Sequence, residues 1–229
     1  MTDVPLSQAG SSVVTLLRDT HYGHVALVGF AAWCITTVLA WRGSFGLWLP
    51  AAVVLTAWSR SAVSHAANSG DYSFDVAVDV LHLLATSLWV GMVLIAAKLP
   101  RPSQPMSDRL DTSRWVEALS SYATATLGVV VLTGLFKVYR AVPNWTLLPA
   151  SDYGRTFFFK LGFVAAAVLL GGYNRFRVLP GLSTTLGGRT DPSADFWNSR
   201  FLRVVRIEML VLLAVVGWAA LLSSSEPAG

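Results

Sequence analysis

Residues 74–97 read FDVAVDVLHLLATSLWVGMVLIAA, an apolar stretch that carries three ionisable side chains, Asp75, Asp79 and His82. As an α-helix, these residues would extend about 36 Å, because each residue adds about 1.5 Å. The hydrocarbon core of a bilayer is about 30 Å thick. The stretch therefore predicts a transmembrane helix with polar groups inside it.

Five further apolar stretches of similar length occur along the chain. Together the six predict transmembrane helices at approximately residues 24–41, 44–67, 74–97, 115–139, 154–174 and 200–222. A membrane β-barrel would instead show short segments of alternating polarity. The sequence thus predicts an all-α integral membrane protein, in which residues 1–229 form a single membrane domain with a bundle of about six transmembrane helices.

The composition excludes a soluble domain. Only 13% of the 229 residues are charged, about half the fraction usual in soluble proteins, and the mean hydropathy is +0.55. The basic residues flank the apolar stretches, so the pI of about 9.5 does not predict nucleic-acid binding. A single cysteine, Cys34, excludes an internal disulfide, and the N-terminal residues show no cleavable signal peptide.

The distribution of Lys and Arg predicts the orientation in the membrane. Eleven of the seventeen basic residues fall in the loops after the first, third and fifth spans, and six lie on the opposite side. By the positive-inside rule, the loops 98–115 and 175–203 are cytoplasmic and both termini are extracytoplasmic. The four histidines, His21, His24, His65 and His82, then lie at or near the outer face.

The third span has a polar stripe along one helix face. Its members recur at helical spacing and are Asp75, Asp79, His82, Thr86 and Trp89. Ionisable groups inside a membrane are costly and usually line a bundle interior or an aqueous cavity. The stripe therefore predicts a pathway or binding site. In the alternative interpretation, the two acids only begin the helix, where they favour its dipole.

The histidines are candidate metal ligands. His65 and His82 lie on sequential spans, and with Asp79 they can bind a borderline or soft cation. We predict that these two histidines bind one ion together; separate single-histidine stations are the alternative, because their depths differ by roughly 9 Å. His21 and His24 are three residues apart and can bind a metal jointly, or can be ordinary interfacial residues.

A second polar group lies at the predicted cytoplasmic ends of spans five and six, where antiparallel packing places Glu208 level with Asn174 and Arg175. We interpret it as a structural ion pair that joins the two helices, with a place in the pathway as the alternative. The sequence contains no nucleophile, zinc-protease or phosphate-loop motif. We therefore predict that the protein is not an enzyme.

Six short motifs in order resemble the copper resistance protein D family of bacterial inner-membrane proteins. They extend from residue 64 to residue 208 and are Ser64-His65-Ala66-Ala67; Asp79 to Gly91; Leu132-Thr133-Gly134; Tyr153-Gly154-Arg155 to Lys160; Tyr173-Asn174-Arg175; and Arg206 to Glu208. The resemblance implies a multi-pass protein of the cell inner membrane that imports copper, as Cu+ or Cu2+. It also implies a small periplasmic copper-binding protein as a partner.

By position, the resemblance implies copper ligands at His65 and His82, and further candidates at Asp79, Asn174 and Glu208. Two other classes of function stay open. Histidines on facing helices can ligate haem, as in a membrane cytochrome b that transfers electrons. A copper sensor or assembly partner that does not transport is the third class.

Overall fold

The computed structural model describes residues 6–98, 106–141, 152–181 and 193–223. Within these ranges all regular elements are helical, which confirms the predicted α-helical class. The α-helices are α1 (Leu6–Asp19), α2 (His21–Trp41), α3 (Trp48–Ala62), α4 (Phe74–Lys98), α5 (Met106–Ala141), α6 (Asp152–Tyr173) and α7 (Ser193–Ser223). A 3₁₀ helix, His65–Ser69, follows α3, and a π-helix, Asn174–Val178, follows α6.

Four of the described helical segments are long and apolar enough to cross a membrane. They are His21–Trp41, Phe74–Lys98, Glu117–Arg140 and Gly154–Gly181. Many large apolar side chains on these segments are exposed, among them Phe30, Leu132 and Leu169. Apolar surface of this extent is what lipid contact requires, so the segments are consistent with a helical membrane protein.

Helix α1 was not predicted from the sequence. It ends at Asp19, and Thr20 begins α2 as its N-cap, with its hydroxyl accepting a hydrogen bond from the Gly23 N–H at 3.0 Å. Gly23 allows the two helices to approach closely, because a Cβ there would lie 2.2 Å from the backbone oxygen of Leu16. The segment before the first predicted span is therefore a packed helix in its own right.

Helix α3 ends at Ala62, earlier than the predicted second span, which extends to residue 67. The Ser64 hydroxyl accepts a hydrogen bond from the Ala66 N–H at 3.2 Å and donates to the Ser61 carbonyl at 2.7 Å. A serine side chain that bonds nearby backbone groups competes with helix continuation. The result places His65 at the first position of the 3₁₀ helix rather than inside α3.

The chain divides into two compact units, Met1–Leu84 and Ala85–Gly229. In the first unit, α2 packs against α3, and a Cβ at Gly29 would meet the Ser59 hydroxyl. In the second unit, α6 packs against α7 around a hydrophobic core that includes Trp89, Ala167 and Leu212. The prediction of a single membrane domain is not tested by this division and stays a prediction.

Candidate functional site

The candidate residues fall into two groups, one in each unit. The first unit holds all four histidines together with Asp75 and Asp79, and the second holds Trp89 and the polar residues of α6 and α7. Parts of the two loops predicted to be cytoplasmic, residues 99–105 and 182–192, lie outside the described residues.

His21 occupies the first position of α2, and a carboxylate fixes its ring. The Nε2 atom of His21 lies 2.7 Å from Oδ2 of Asp71, which is a hydrogen bond or, with a protonated ring, an ion pair. The His21 side chain is 68% exposed, whereas that of Asp71 is 23% exposed. A carboxylate that holds one ring nitrogen is the usual second partner of a metal-binding histidine, because it orients the ring and raises its basicity.

Asp71 is itself held in place by the end of α3. The indole N–H of Trp58 donates to the Asp71 carbonyl at 3.1 Å, and the Trp58 ring stacks on Tyr72 with 5.7 Å between the ring centroids. Sequence reasoning identified this segment only as the turn after the second span. The sequence could have indicated the contact between Asp71 and His21 only through the predicted topology. The turn that contains Asp71 and the start of the first span are both predicted on the outer side, so the Asp71 carboxylate can reach the His21 ring.

His24 has a different partner. Its Nε2 atom lies 2.7 Å from the Arg18 carbonyl oxygen. A carbonyl can only accept a hydrogen bond, so Nε2 carries the proton and, in the neutral ring, Nδ1 keeps its lone pair. His24 is exposed. The first turn of α2 thus presents two exposed imidazoles, each with Nε2 engaged, which leaves Nδ1 of the neutral ring as the nitrogen that can bind a metal.

His65 is exposed at the start of the 3₁₀ helix. That short helix is connected to the beginning of α4, because the Ser73 hydroxyl donates to the Ala66 carbonyl at 3.3 Å. The same hydroxyl accepts a hydrogen bond from the Val76 N–H at 3.3 Å, which caps α4. Ser73 therefore fixes His65 close to the level at which α4 begins.

The predicted stripe lies on α4. Asp75 and His82 are half-buried and Asp79 is buried, and each of the three takes part in at least one polar or ring contact. The Thr86 hydroxyl is buried and has no hydrogen-bond partner among the described residues. Trp89 belongs to the hydrophobic core of the second unit. The polar part of the stripe therefore ends at Thr86, and Trp89 packs as an apolar side chain.

No group of three or more His, Cys, Asp or Glu side chains in the described part of the chain is arranged to hold a metal ion. The structure thus brings His21 and Asp71 together, and gives His24 a backbone partner. The predicted copper ligand sets, including the joint site of His65 and His82, stay predictions.

In the second unit, the predicted ion pair between α6 and α7 is not present among the described residues. The Arg175 guanidinium instead donates to the hydroxyls of Ser120 and Ser121 on α5, at 3.0 and 3.5 Å. Glu208 is buried, with 5% of its surface exposed, and makes no hydrogen bond or ion pair with another described residue. The Asn174 Oδ1 atom is also buried and has no hydrogen-bond donor within the described ranges.

Glu208 and Asn174 line one cavity of about 280 Å³ in the second unit. Helices α4, α5, α6 and α7 and the π-helix contribute its walls, with Trp89, Met92 and Arg175 among the lining residues. The walls are largely apolar. The arrangement therefore places a carboxyl and an amide oxygen, neither of them satisfied by a described residue, against a mainly hydrocarbon surface.

These features define a class: an α-helical membrane protein with accessible imidazoles in one unit and a buried carboxyl in the other. Comparison with known proteins narrows the class. Residues 113–222 match the model of the family described as copper resistance protein D. The matched region contains α6, the π-helix and most of α5 and α7, so Asn174, Arg175 and Glu208 lie inside it and the four histidines lie outside it.

A relative supports the same resemblance. The chain is 24% identical over 149 residues to a protein named copper transport protein CutJ from Bacillus subtilis (strain 168). The match covers 62% of this chain but only 28% of that relative, so the chain corresponds to a little over a quarter of it. No solved structure matches. The two findings confirm the resemblance of the chain to the copper resistance protein D family.

Proposed function

We propose that this protein imports copper across the bacterial cytoplasmic membrane. The match of residues 113–222 to the copper resistance protein D family and the similarity to CutJ support a copper-related membrane protein. The observation that carries the transport proposal is the polar series in the first unit: accessible His21 and His24 at the start of α2, then half-buried His82 beside buried Asp79 on α4. Such a series offers a cation nitrogen and oxygen ligands from the surface into the bilayer, with no catalytic step. A small periplasmic copper-binding protein is the proposed donor.

The proposal requires six crossing helices. Four segments qualify by length and hydropathy, and α3 and α7 supply the others. Helix α3 with the 3₁₀ helix extends from Trp48 to Ser69, and the 31 residues of α7 extend about 46 Å. An even number of crossings places both termini on one side, which the positive-inside rule makes the outer side.

The orientation is testable with reporter fusions. We expect phosphatase fused after α7 to be active, and a fluorescent reporter that folds only in the cytoplasm to be dark at that position. A fusion in the predicted loop 175–203 should give the opposite pattern, because that segment holds five of the basic residues. A cytoplasmic C-terminus would contradict the orientation and would move every histidine to the other face.

Transport itself is testable in liposomes that contain the purified full chain. We expect copper to accumulate inside the vesicles, measured by mass spectrometry, in proportion to the amount of protein. Protein-free liposomes are the control. Absence of accumulation with either Cu+ or Cu2+ would contradict import, and a strong Soret band would identify a haem cytochrome instead.

The contact between His21 and Asp71 gives a separate prediction. Asp71→Asn is expected to weaken copper binding at the His21–His24 pair by about tenfold, because loss of an outer-shell carboxylate typically costs ten- to hundredfold in metal affinity. Affinity would be measured by competition with a coloured copper chelator.

Asp19→Asn is the matched control for that change. It removes the same charge two residues from His21, yet the Asp19 carboxylate makes no hydrogen bond or ion pair with another described residue. An equal effect of both substitutions would show that general electrostatics, rather than the oriented ring, determines the affinity.

A further inference from the structure

We propose that Glu208 and Asn174 form a binding site for a hard monovalent cation, with sodium as the probe, in the cavity of the second unit. The site differs from the histidine series in its residues, its unit and its ligand chemistry. It also goes beyond the copper transport proposed above, since its occupant is a second cation.

Both oxygen-bearing groups are buried. Glu208 is 5% exposed and Asn174 is 7% exposed, and both side chains line the same cavity. Ionised carboxylates and amide carbonyls only accept hydrogen bonds or bind cations. Asn174 Oδ1 has no hydrogen-bond partner among the described residues, and it shares the cavity with the Glu208 carboxyl, so a cation in the cavity can bind both oxygens.

Arg175 is the one basic residue among the described residues that line the cavity, and it is bound elsewhere. The Arg175 guanidinium is bound to the serine hydroxyls of α5. The Arg200 guanidinium lies over the rings of Tyr173 and Phe196, at 5.5 and 5.7 Å from their centroids. A buried carboxylate without a partner costs several kcal/mol, so a bound cation would stabilise this site considerably.

The local backbone leaves room for the Glu208 side chain. A Cβ at Gly171 would lie 3.0 Å from Glu208 Oε1, so glycine allows the carboxyl to rest against α6. Directly after α6 the chain adopts a π-helix, in which the Leu179 N–H donates to the Asn174 carbonyl five residues before it. π-Helical segments occur frequently at functional sites. Interrupted transmembrane helices supply cation ligands in many transporters.

The ligand atoms in the cavity favour a hard, monovalent cation. Carboxylate and carbonyl oxygens suit hard ions, whereas Cu+ prefers thiolate, thioether and imidazole ligands. Met92 is the one methionine among the lining residues. Magnesium demands near-ideal octahedral geometry and usually binds through carboxylates and several waters, whereas this cavity is largely apolar and has one carboxyl among its described lining residues. A single negative charge matches a single positive one, and sodium fits these requirements.

The test is direct binding of ²²Na⁺ to the purified full chain in copper-free detergent solution. We expect saturable binding to the unmodified protein. Glu208→Gln, which keeps the side-chain volume, should weaken it about tenfold or more, because an interaction with a charged partner is lost. Asn174→Ala should weaken it to a smaller extent. Glu117→Gln is the matched control, since Glu117 is exposed on α5 and outside the cavity.

A second measurement guards against misfolded variants. Sodium should raise the thermal unfolding midpoint of the unmodified protein and of Glu117→Gln relative to choline, because a ligand that binds only the folded state stabilises it. The midpoint of Glu208→Gln should not respond. Equal responses of the two variants, or no saturable sodium binding by the unmodified protein, would overturn the proposal.

Binding of Cu2+ in place of sodium at Glu208 would overturn it as well, and so would a site occupied by a proton alone. Neither result depends on copper uptake, which is measured separately in liposomes. Uptake without sodium binding would leave the transport proposal standing and remove this site. Sodium binding without copper uptake would support this site and contradict the transport proposal.

Discussion

His82→Ala is expected to reduce copper uptake into liposomes about tenfold or more, whereas His21→Ala should reduce it by less than about threefold. His82 is half-buried within α4, one turn beyond buried Asp79. A cation that leaves water at this depth depends on the ligands available there. His21 is 68% exposed, and water can replace its ring with little cost.

The comparison of the two histidines contains its own control. Each variant removes one imidazole. A difference between their uptake rates therefore reflects the position of the lost histidine rather than the loss of an imidazole as such. Initial uptake rates at saturating copper, normalised to the amount of correctly folded protein, would be compared. Equal and small effects would make a histidine pathway untenable, and the histidines would then be interfacial residues.

The sequence predicted the helices well where apolar length alone determines the structure. Helix α4 begins at the predicted Phe74 and ends one residue after the predicted span. Hydropathy is sufficient there because the membrane requires a long, uninterrupted, internally bonded segment. It failed for α1, whose mean hydropathy is low and whose packing depends on the absence of a side chain at Gly23.

The candidate site was predicted less completely, because its contacts join distant parts of the chain. Sequence spacing placed Asp75, Asp79 and His82 on one helix, which requires only helical periodicity. The bond between His21 and Asp71 depends on how a turn folds back, and no local pattern encodes it.

The second unit shows the same limitation in a different form. The expected partner of Glu208 was Arg175, since antiparallel helices place them at one level. The guanidinium instead reaches the hydroxyls of α5, more than fifty residues away in the chain. A five-residue π-helix has no recognised sequence signature, so the position of Asn174 in the cavity could not be predicted either.

The final prediction concerns whether His65 and His82 share one copper ion. The sequence alone favoured a shared ion over separate stations. In the structure, Ser73 holds the 3₁₀ helix near the first residue of α4, and His82 follows Phe74 by eight residues, about 12 Å along the helix axis. We therefore expect the two histidines to act as successive stations.

A double-mutant cycle distinguishes the two arrangements. For successive stations, the effects of His65→Ala and His82→Ala on the free energy of copper binding should add within about 0.5 kcal/mol, as they do for independent sites. For a shared ion, either substitution would destroy the same site, and the double variant would lose little more than one single variant. Competition with a copper chelator would give the copper affinities of the unmodified protein, the two single variants and the double variant. Strong non-additivity would show that the outer ends of α3 and α4 approach closely enough for one ion to join them.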